Sequence, residues 1–266
     1  MLKKLLIYFI FTILILSIFF PYTQIVKCKD SKISIIYVDD DGDVEYKSIQ
    51  NAIDNASQYH EIYVYNGTYY ENIFLNKSIT LIGEDKNNTI IDAKFIGDVI
   101  YLLAETTNIS GFTIRNSGTD INNSGINIQS KSSLIFDNNL ENNQIGIRLI
   151  KSFNNTIYHN NFFNNTINAI DDGNNTWYNN TITQGNYWDD YNAKDKNNDG
   201  IGDTPYNISG GKNQDKYPMM NPYYKKSKDS FYVDEKTVIN MLFIGMFFVI
   251  LFVLPIAYYW RKKYLK

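Results

Sequence analysis

The chain of 266 residues is poor in the residues that most small folds rely on for cross-links or metal chemistry. It has one cysteine, Cys28, so no intrachain disulfide framework is available, and stability must come from packing and hydrogen bonding. It has two histidines, His60 and His159, which leaves few imidazole ligands. Proline is scarce at 5 residues, as expected where the backbone spends its N–H groups in ladders. Neither sign of charge dominates: 25 basic residues face 28 acidic ones, so no basic patch argues for nucleic acid. Long apolar runs are confined to the two ends, and no row of the interior repeat has the apolar i, i+3, i+4, i+7 pattern that builds helical solenoids.

What the chain does have is asparagine in rows. Ser132–Asn143, Asn154–Asn165 and Asn174–Ile182 align with offsets of 22 and then 20 residues. A second motif keeps step: Gly125-Ile126-Asn127-Ile128, Gly146-Ile147-Arg148-Leu149 and a weaker Asn168-Ala169-Ile170-Asp171. A period of this size, made of short β-runs broken by Asn and Gly, marks a solenoid. Alternation puts Leu134 with Phe136, and Ile147 with Leu149, on one strand face. So short a strand buries its face only when stacked on the coil below. Asparagine suits the corners because it tolerates left-handed backbone, and its amide, both donor and acceptor, can ladder from coil to coil. The fold class expected is all-β: a right-handed parallel β-helix of six or seven coils, in which Leu134, Ile157 and Trp177 lie above one another. Ile49, Ala52, Ile53 and Ala56 predict a short amphipathic helix that caps the N-terminal end. The aromatics of Gly185–Tyr191 are expected to plug the other end.

The ends read as topogenic. Lys3-Lys4 followed by apolar Leu5–Phe20 and Pro21 is a signal-peptide plan, assigned to residues 1–28. The β-helix is assigned to residues 33–220, with a C-terminal cap at 185–220, and a polar stalk to 221–237. Residues 238–260 contain twenty without a charge, Met241–Trp260, about 30 Å of helix and one bilayer core. Tyr258, Tyr259 and Trp260 form an interfacial belt, and the basic tail 261–266 should stay in the cytoplasm. The expectation is a single-pass protein of the cell membrane with an extracellular solenoid.

Several stretches resemble a known family. Tyr37–Gly42, Ser48–Ile53, Asn66–Ile73, Lys77–Glu84, Asn108–Ile114, Gly185–Tyr191 and Asp199–Tyr206 are similar to the NosD-like right-handed β-helix proteins, over about Ile36 to Met220. That resemblance implies the β-helix fold, a domain associated with carbohydrate binding and sugar hydrolysis, and, from the family name, copper-site maturation. Fold carries over better than activity.

Three kinds of site follow from the residues. Asp195, Asn197, Asp199, Ile201 and Asp203, with Gly200 at the sixth position, follow the first part of a Ca²⁺ loop; Tyr206 stands where the closing Glu would be, and Asp189 or Asp190 could fold back to replace it. Copper wants imidazole or sulfur, and His60, His159, Cys28 and Met219-Met220 are too scattered to promise it. Tyr158, Tyr178, Asp137, Asp171 and Arg148 are candidates for carbohydrate binding, since rings stack on sugars while carboxylates and guanidinium bond hydroxyls. Asn66, Asn76, Asn108, Asn154, Asn164, Asn174 and Asn179 begin Asn-X-Ser/Thr sequons, candidates for glycosylation in an exported chain. The functional expectation is a surface β-helix that binds glycan or a surface-layer partner. The rivals are a polysaccharide lyase or hydrolase of the same fold and an accessory protein for a copper site.

Overall fold

A computed structural model describes residues 35–224. The signal, the membrane span and the basic tail expected from the sequence lie outside these residues. Among the described residues, no helix is long and apolar enough to cross a membrane.

Three parallel sheets wind into a β-solenoid of about seven turns. Sheet I holds Ile35–Val38, Glu61–Val64, Thr80–Gly83, Asn108–Ser110, Leu134–Phe136, Phe153–Tyr158 and Asn174–Thr176, each paired with its neighbours in that order. Sheet II runs from Gly67–Tyr69 through Thr89–Asp92, Thr113–Arg115, Asn139–Glu141 and Asn161–Phe163 to Tyr187–Trp188. Sheet III comprises Ile73–Leu75, Ile100–Leu102, Ser124–Ile128, Ile145–Leu149 and Ile167–Asp171. At about 4.8 Å per coil the seven strands of sheet I rise about 29 Å. The coils send mostly aliphatic side chains inward, with Tyr69, Phe112, Phe162, Trp177 and Trp188 among them, and these join in a continuous core.

The inward column of sheet I is Ile109, Ile135, Ile157 and Trp177, all fully buried. Leu134 and Phe136 therefore face outward, contrary to the expectation from alternation, and Leu134 lies beside Thr156 rather than Ile157. The cause is at the corners. Ser132 and Asp137 take positive φ (58° and 54°), as do Asn142, Asn154, His159 and Asn164. A left-handed residue turns the chain without consuming an inward position, so parity restarts at each corner and a three-residue strand keeps only its middle side chain inside.

Helix α1, Ile49–Asn55, closes the N-terminal end with Ile49, Ala52 and Ile53 buried. Both its termini are satisfied by side chains from the coil beneath. The Glu71 carboxylate accepts from the N–H groups of Ile49 and Gln50 (2.8 and 2.9 Å) and from the Ser48 hydroxyl (2.8 Å). The Lys77 ammonium donates to the carbonyls of Ile53, Asp54 and Ala56 at 2.7–3.0 Å. Negative charge at the N-terminus and positive charge at the C-terminus complement the helix dipole. The Gln50 amide pairs with the N–H and C=O of Phe74, covering an edge that would otherwise be open.

At the opposite end Phe162, Trp188 and Tyr206 stack face to face, with centroids 4.2 and 4.1 Å apart, and Trp177 packs at their side. These rings are the expected plug. The chain then returns along the solenoid. Met219 bonds Asn186, and Tyr223 exchanges hydrogen bonds with Asn161. Residues 221–224, expected in the stalk, thus lie against the solenoid.

Candidate functional site

Three asparagine ladders run through the corners, and all of them point the same way. In the first, the Asn138 amide donates to Asn160 Oδ1, Asn160 to Asn186 Oδ1 and Asn186 to Asp215 Oδ2 (3.1, 3.0 and 3.3 Å). In the second, Asn155 donates to Asn175 and Asn175 to Asp171, both at 2.9 Å. In the third, Asn143 donates to Asn165, Asn165 to Asn168, and Asn168 Nδ2 to the Oδ1 atoms of both Asp189 and Asp190 (3.1 and 3.0 Å). Each of these three corner ladders ends on carboxylate, whereas on sheet II Asn161 donates back to Asn139 and Asn139 to the Thr113 hydroxyl.

Two of the three ends are sealed. Asp171 and Asp215 are fully buried, and each takes a further bond from an indole N–H: Trp177 to Asp171 at 2.8 Å and Trp188 to Asp215 at 3.0 Å. Burial pushes the Asp215 carboxyl up to about 6, against the pull of four N–H bonds from Asn186, Tyr217 and Trp188. Gly185 is required beside it, since a Cβ there would stand 1.8 Å from Asp215 Oδ1.

The third end is open. Asp189 and Asp190 are exposed and line a pocket of about 490 Å³ with Asn165, Asn168, Thr166 and Tyr206. The backbone N–H of Asn164 holds Asp189 Oδ2 at 2.6 Å, and the Tyr206 hydroxyl donates to Asp190 Oδ2 at 3.1 Å. Burial and then the Asp190 charge raise the Tyr206 phenol well above its ordinary value, so it stays a donor. The pocket offers two fixed carboxylates, an amide, a hydroxyl and the edge of a ring, a donor and acceptor set suited to a polyhydroxylated ligand. Sequence reading had named Asp189 and Asp190 only as helpers of the Ca²⁺ loop. Their neighbours in the pocket come from another coil and from the short strand Tyr206–Asn207, which no local pattern announces.

The five carbohydrate-binding candidates do not converge. Asp171 is withdrawn from the surface altogether, as the buried end of the second ladder. Asp137 is nearly buried and pairs with Lys86 at 2.9 Å. Burial lowers the Lys86 ammonium, an effect the Asp137 charge opposes, and Lys86 also donates to the Tyr223 carbonyl at 2.7 Å. Tyr158 stands on the outer face of sheet I, stacked on Phe136 with centroids 5.7 Å apart. Tyr178 meets Tyr217 edge to face and Lys216. Arg148 is on sheet III, a different face.

The loop Asp195–Asp203 closes on itself. Asp195 accepts from the N–H of Asp199 and of Gly200, Asp199 accepts from Ile201 N–H and from Asn197, and Asp203 accepts from Lys196 N–H. Gly200 takes φ +86°, the turn that the glycine was expected to allow. Asp189 and Asp190 do not fold back to it, being held by Asn164, Asn168 and Tyr206. Among the described residues, three carboxylates come within 4.8 Å of one another elsewhere, at Asp39, Asp40 and Asp41, an exposed triad that could hold a metal ion. Of the sequon asparagines, Asn66, Asn76, Asn154, Asn164 and Asn174 are exposed, while Asn108 and Asn179 are half-buried.

No curated protein matches the chain in sequence. Solved structures of similar shape include pectin methylesterase from carrot (16% identity, 48% of this chain and 51% of that one, TM-score 0.40) and PemA from Erwinia chrysanthemi (17%, 48% and 53%, TM-score 0.34). The pectin methylesterase of Aspergillus niger is another (12%, 58% and 64%, TM-score 0.37). The chain spans about half the length of the first of these. A family model described as periplasmic copper-binding protein (NosD) matches residues 22–193, most of the solenoid and the pocket's two carboxylates included, and the chain belongs to that family.

Proposed function

We propose that this protein is a membrane-anchored, cell-surface β-helix, wound right-handed, that binds carbohydrate, and that the pocket at the open end of the third ladder is where a sugar is held. One observation carries the reading: of three equivalent ladder ends, two are sealed by indole N–H groups and the third presents its carboxylates to solvent beside Tyr206. A purely structural end would be closed like the others. The sugar's hydroxyls would donate to Asp189 and Asp190.

The test is a glycan array probed with the full chain in detergent and scored for binding and for cleavage, alongside Asp190→Asn and Asn168→Ala. Retention of a glycan that both substitutions weaken at least tenfold supports the reading. Retention indifferent to both, or no retention at all, overturns it.

A second reading, glycoside hydrolysis, draws on the carboxylate pair. The Oδ1 atoms of Asp189 and Asp190 share one donor, so they are at most about 6 Å apart, short of the wider spacing of inverting glycosidases and compatible with the ~5 Å of retaining ones. Release of reducing ends in the same array would favour it.

Copper, the metal of the family description, does not fit the residues described. His159 is buried, stacked on Tyr223 at 3.7 Å, and spends Nε2 on Gln184. His60 uses Nδ1 to accept the Ser57 N–H. The carboxylate triad Asp39–Asp41 is a hard oxygen set, which suits Ca²⁺ or Mg²⁺ better than copper.

A further inference from the structure

The outer face of sheet III carries a second set of groups that neither the ladders nor the pocket uses. Phe74, Tyr101, Asn127, Arg148 and Ile170 lie in register on five successive coils. At about 4.8 Å per step the column is about 19 Å long. The rings of Phe74 and Tyr101 stack with centroids 5.7 Å apart and planes 21° from parallel, and Phe74 is 41% exposed. The Arg148 cation lies two coils beyond Tyr101 on the same face.

Arg148 joins no ion pair among the described residues, unlike Arg115, the other arginine described. Its one protein acceptor is the Asn122 carbonyl, a long contact of 3.4 Å. Five N–H donors on a planar fork are therefore almost unspent. Asn127 sits between Tyr101 and Arg148 and is 5% exposed. Its Nδ2 donates to Asp98 Oδ2 at 2.8 Å, while Asp98 Oδ1 is taken by the N–H and hydroxyl of Ser124. That bond fixes which way the amide points, and it leaves Asn127 Oδ1 buried with no donor. Native interiors rarely leave a buried carbonyl so, and where they do the group calls for an explanation.

We infer that this column is a subsite for a carboxylate-bearing sugar chain of the uronate class, an inference that rests on the carbohydrate reading above. Arg148 takes the carboxylate with two parallel N–H bonds. Phe74 and Tyr101 supply apolar contact to a neighbouring sugar ring, and a sugar hydroxyl reaching between Tyr101 and Arg148 supplies the donor that Asn127 lacks. The column ends at Ile170, which pairs with Ser209, a residue that lines the pocket, so the two sites adjoin.

The experiment measures binding of oligouronate tetramers and of their carboxyl-reduced, neutral counterparts to the full chain in detergent by calorimetry, with Arg148→Gln, Arg148→Lys, Tyr101→Ala and Asp190→Asn alongside. The expected result is at least tenfold tighter binding of the uronate, weakened by salt. Arg148→Gln should abolish that preference and leave neutral affinity as it was, while Arg148→Lys retains part of the preference and Tyr101→Ala weakens both ligands. Circular dichroism of each variant checks that the β signal is intact, and Arg148→Lys, which keeps the charge, separates loss of the site from loss of fold. Equal affinity for the charged and neutral tetramers, with binding still lost in Asp190→Asn, overturns the subsite and leaves the pocket standing. A preference that survives Arg148→Gln also overturns it. Failure of every ligand overturns the subsite, while the glycan array decides the pocket.

Discussion

Replacing Asn160 by alanine should cost this protein far more than replacing any surface asparagine. Asn160 is fully buried at the middle of the first ladder. Its Oδ1 accepts from the N–H of Asn138 and from the Asn138 amide (3.2 and 3.1 Å), and its Nδ2 donates to Ile135 O, Tyr158 O and Asn186 Oδ1 (2.9, 3.2 and 3.0 Å). Alanine leaves the Asn138 N–H without a partner and strips one donor from each of two carbonyls. An orphaned buried group costs about 1–3 kcal/mol, and the vacated volume adds to it, so a loss of about 3–5 kcal/mol is expected. That is a large part of the ~5–15 kcal/mol that folds usually have. In a stack the damage falls between particular coils, so urea unfolding, followed by tyrosine and tryptophan fluorescence, should broaden or split as well as shift.

Asn160→Asp discriminates further. It keeps one acceptor but turns a second oxygen toward three acceptors, and burial would raise its folded pKa above the ~3.9 of the unfolded chain. The folded state then binds the extra proton, so this variant should gain stability as pH falls through that raised value, and lose it as pH rises. The control is Asn180→Ala at an exposed position, expected within about 0.5 kcal/mol of the parent. If Asn160→Ala matches the control, the ladder is an ornament of the corners and contributes nothing to the stack.

Three further outcomes follow from the same accounting. Lys86→Ala should cost about 3–5 kcal/mol in urea, because it strands Asp137 in a nearly dry site, and Lys86→Met with Asp137→Asn should recover over half of that; equal losses would show that the pair is not the cause. Asp215, pushed up to about 6 by burial, takes its proton in the folded state first, so stability should decline by roughly 3 kcal/mol as pH rises from about 4 to about 6. Asp215→Asn should flatten that stretch of the urea-midpoint profile, and an unchanged slope would count against the assignment. Lys77→Ala removes the cation from three carbonyls at the end of α1, and should cost about 1–2 kcal/mol and speed amide exchange in α1 while leaving the central coils protected.

The solenoid was legible because its period is written twice, in the asparagine rows and in the Gly-Ile motif. The offset of 22 residues that aligns Asn138 with Asn160 is the offset by which their amides bond. The inward face of sheet I was misread at Leu134 and Phe136, although the same offset already sets Ile135 beside Ile157. Alternation fails there because left-handed residues at Ser132 and Asp137 reset it, and local patterning carries no mark of where a non-glycine residue takes positive φ. Capping by α1 could be read from its apolar spacing, whereas its dependence on Glu71 and Lys77 could not, since those contacts cross a whole coil. The pocket escaped for the same reason. Asp171 looked like a surface acid on a coil and proved to be a buried terminus, while Asp190, expected as a possible ligand of the Asp195–Asp203 loop, proved to end a ladder at the surface.

Direction explains why the acids collect where they do. An asparagine amide in these ladders passes its donor toward the C-terminal coil and receives on its oxygen from the coil before. The first oxygen of each ladder is met by a backbone N–H of the preceding coil, at Phe112, Ser133 and Ser117. The last donor has no further asparagine to follow, and in all three ladders an acid supplies the acceptor. The carboxylates at the C-terminal end are thereby accounted for by the ladders themselves. Their presence is no sign of function; what sets Asp189 and Asp190 apart is that no indole seals them. A tryptophan introduced to close that pocket as Trp177 and Trp188 close the others should leave the fold intact and abolish binding there, and binding that persists would place the ligand on another face.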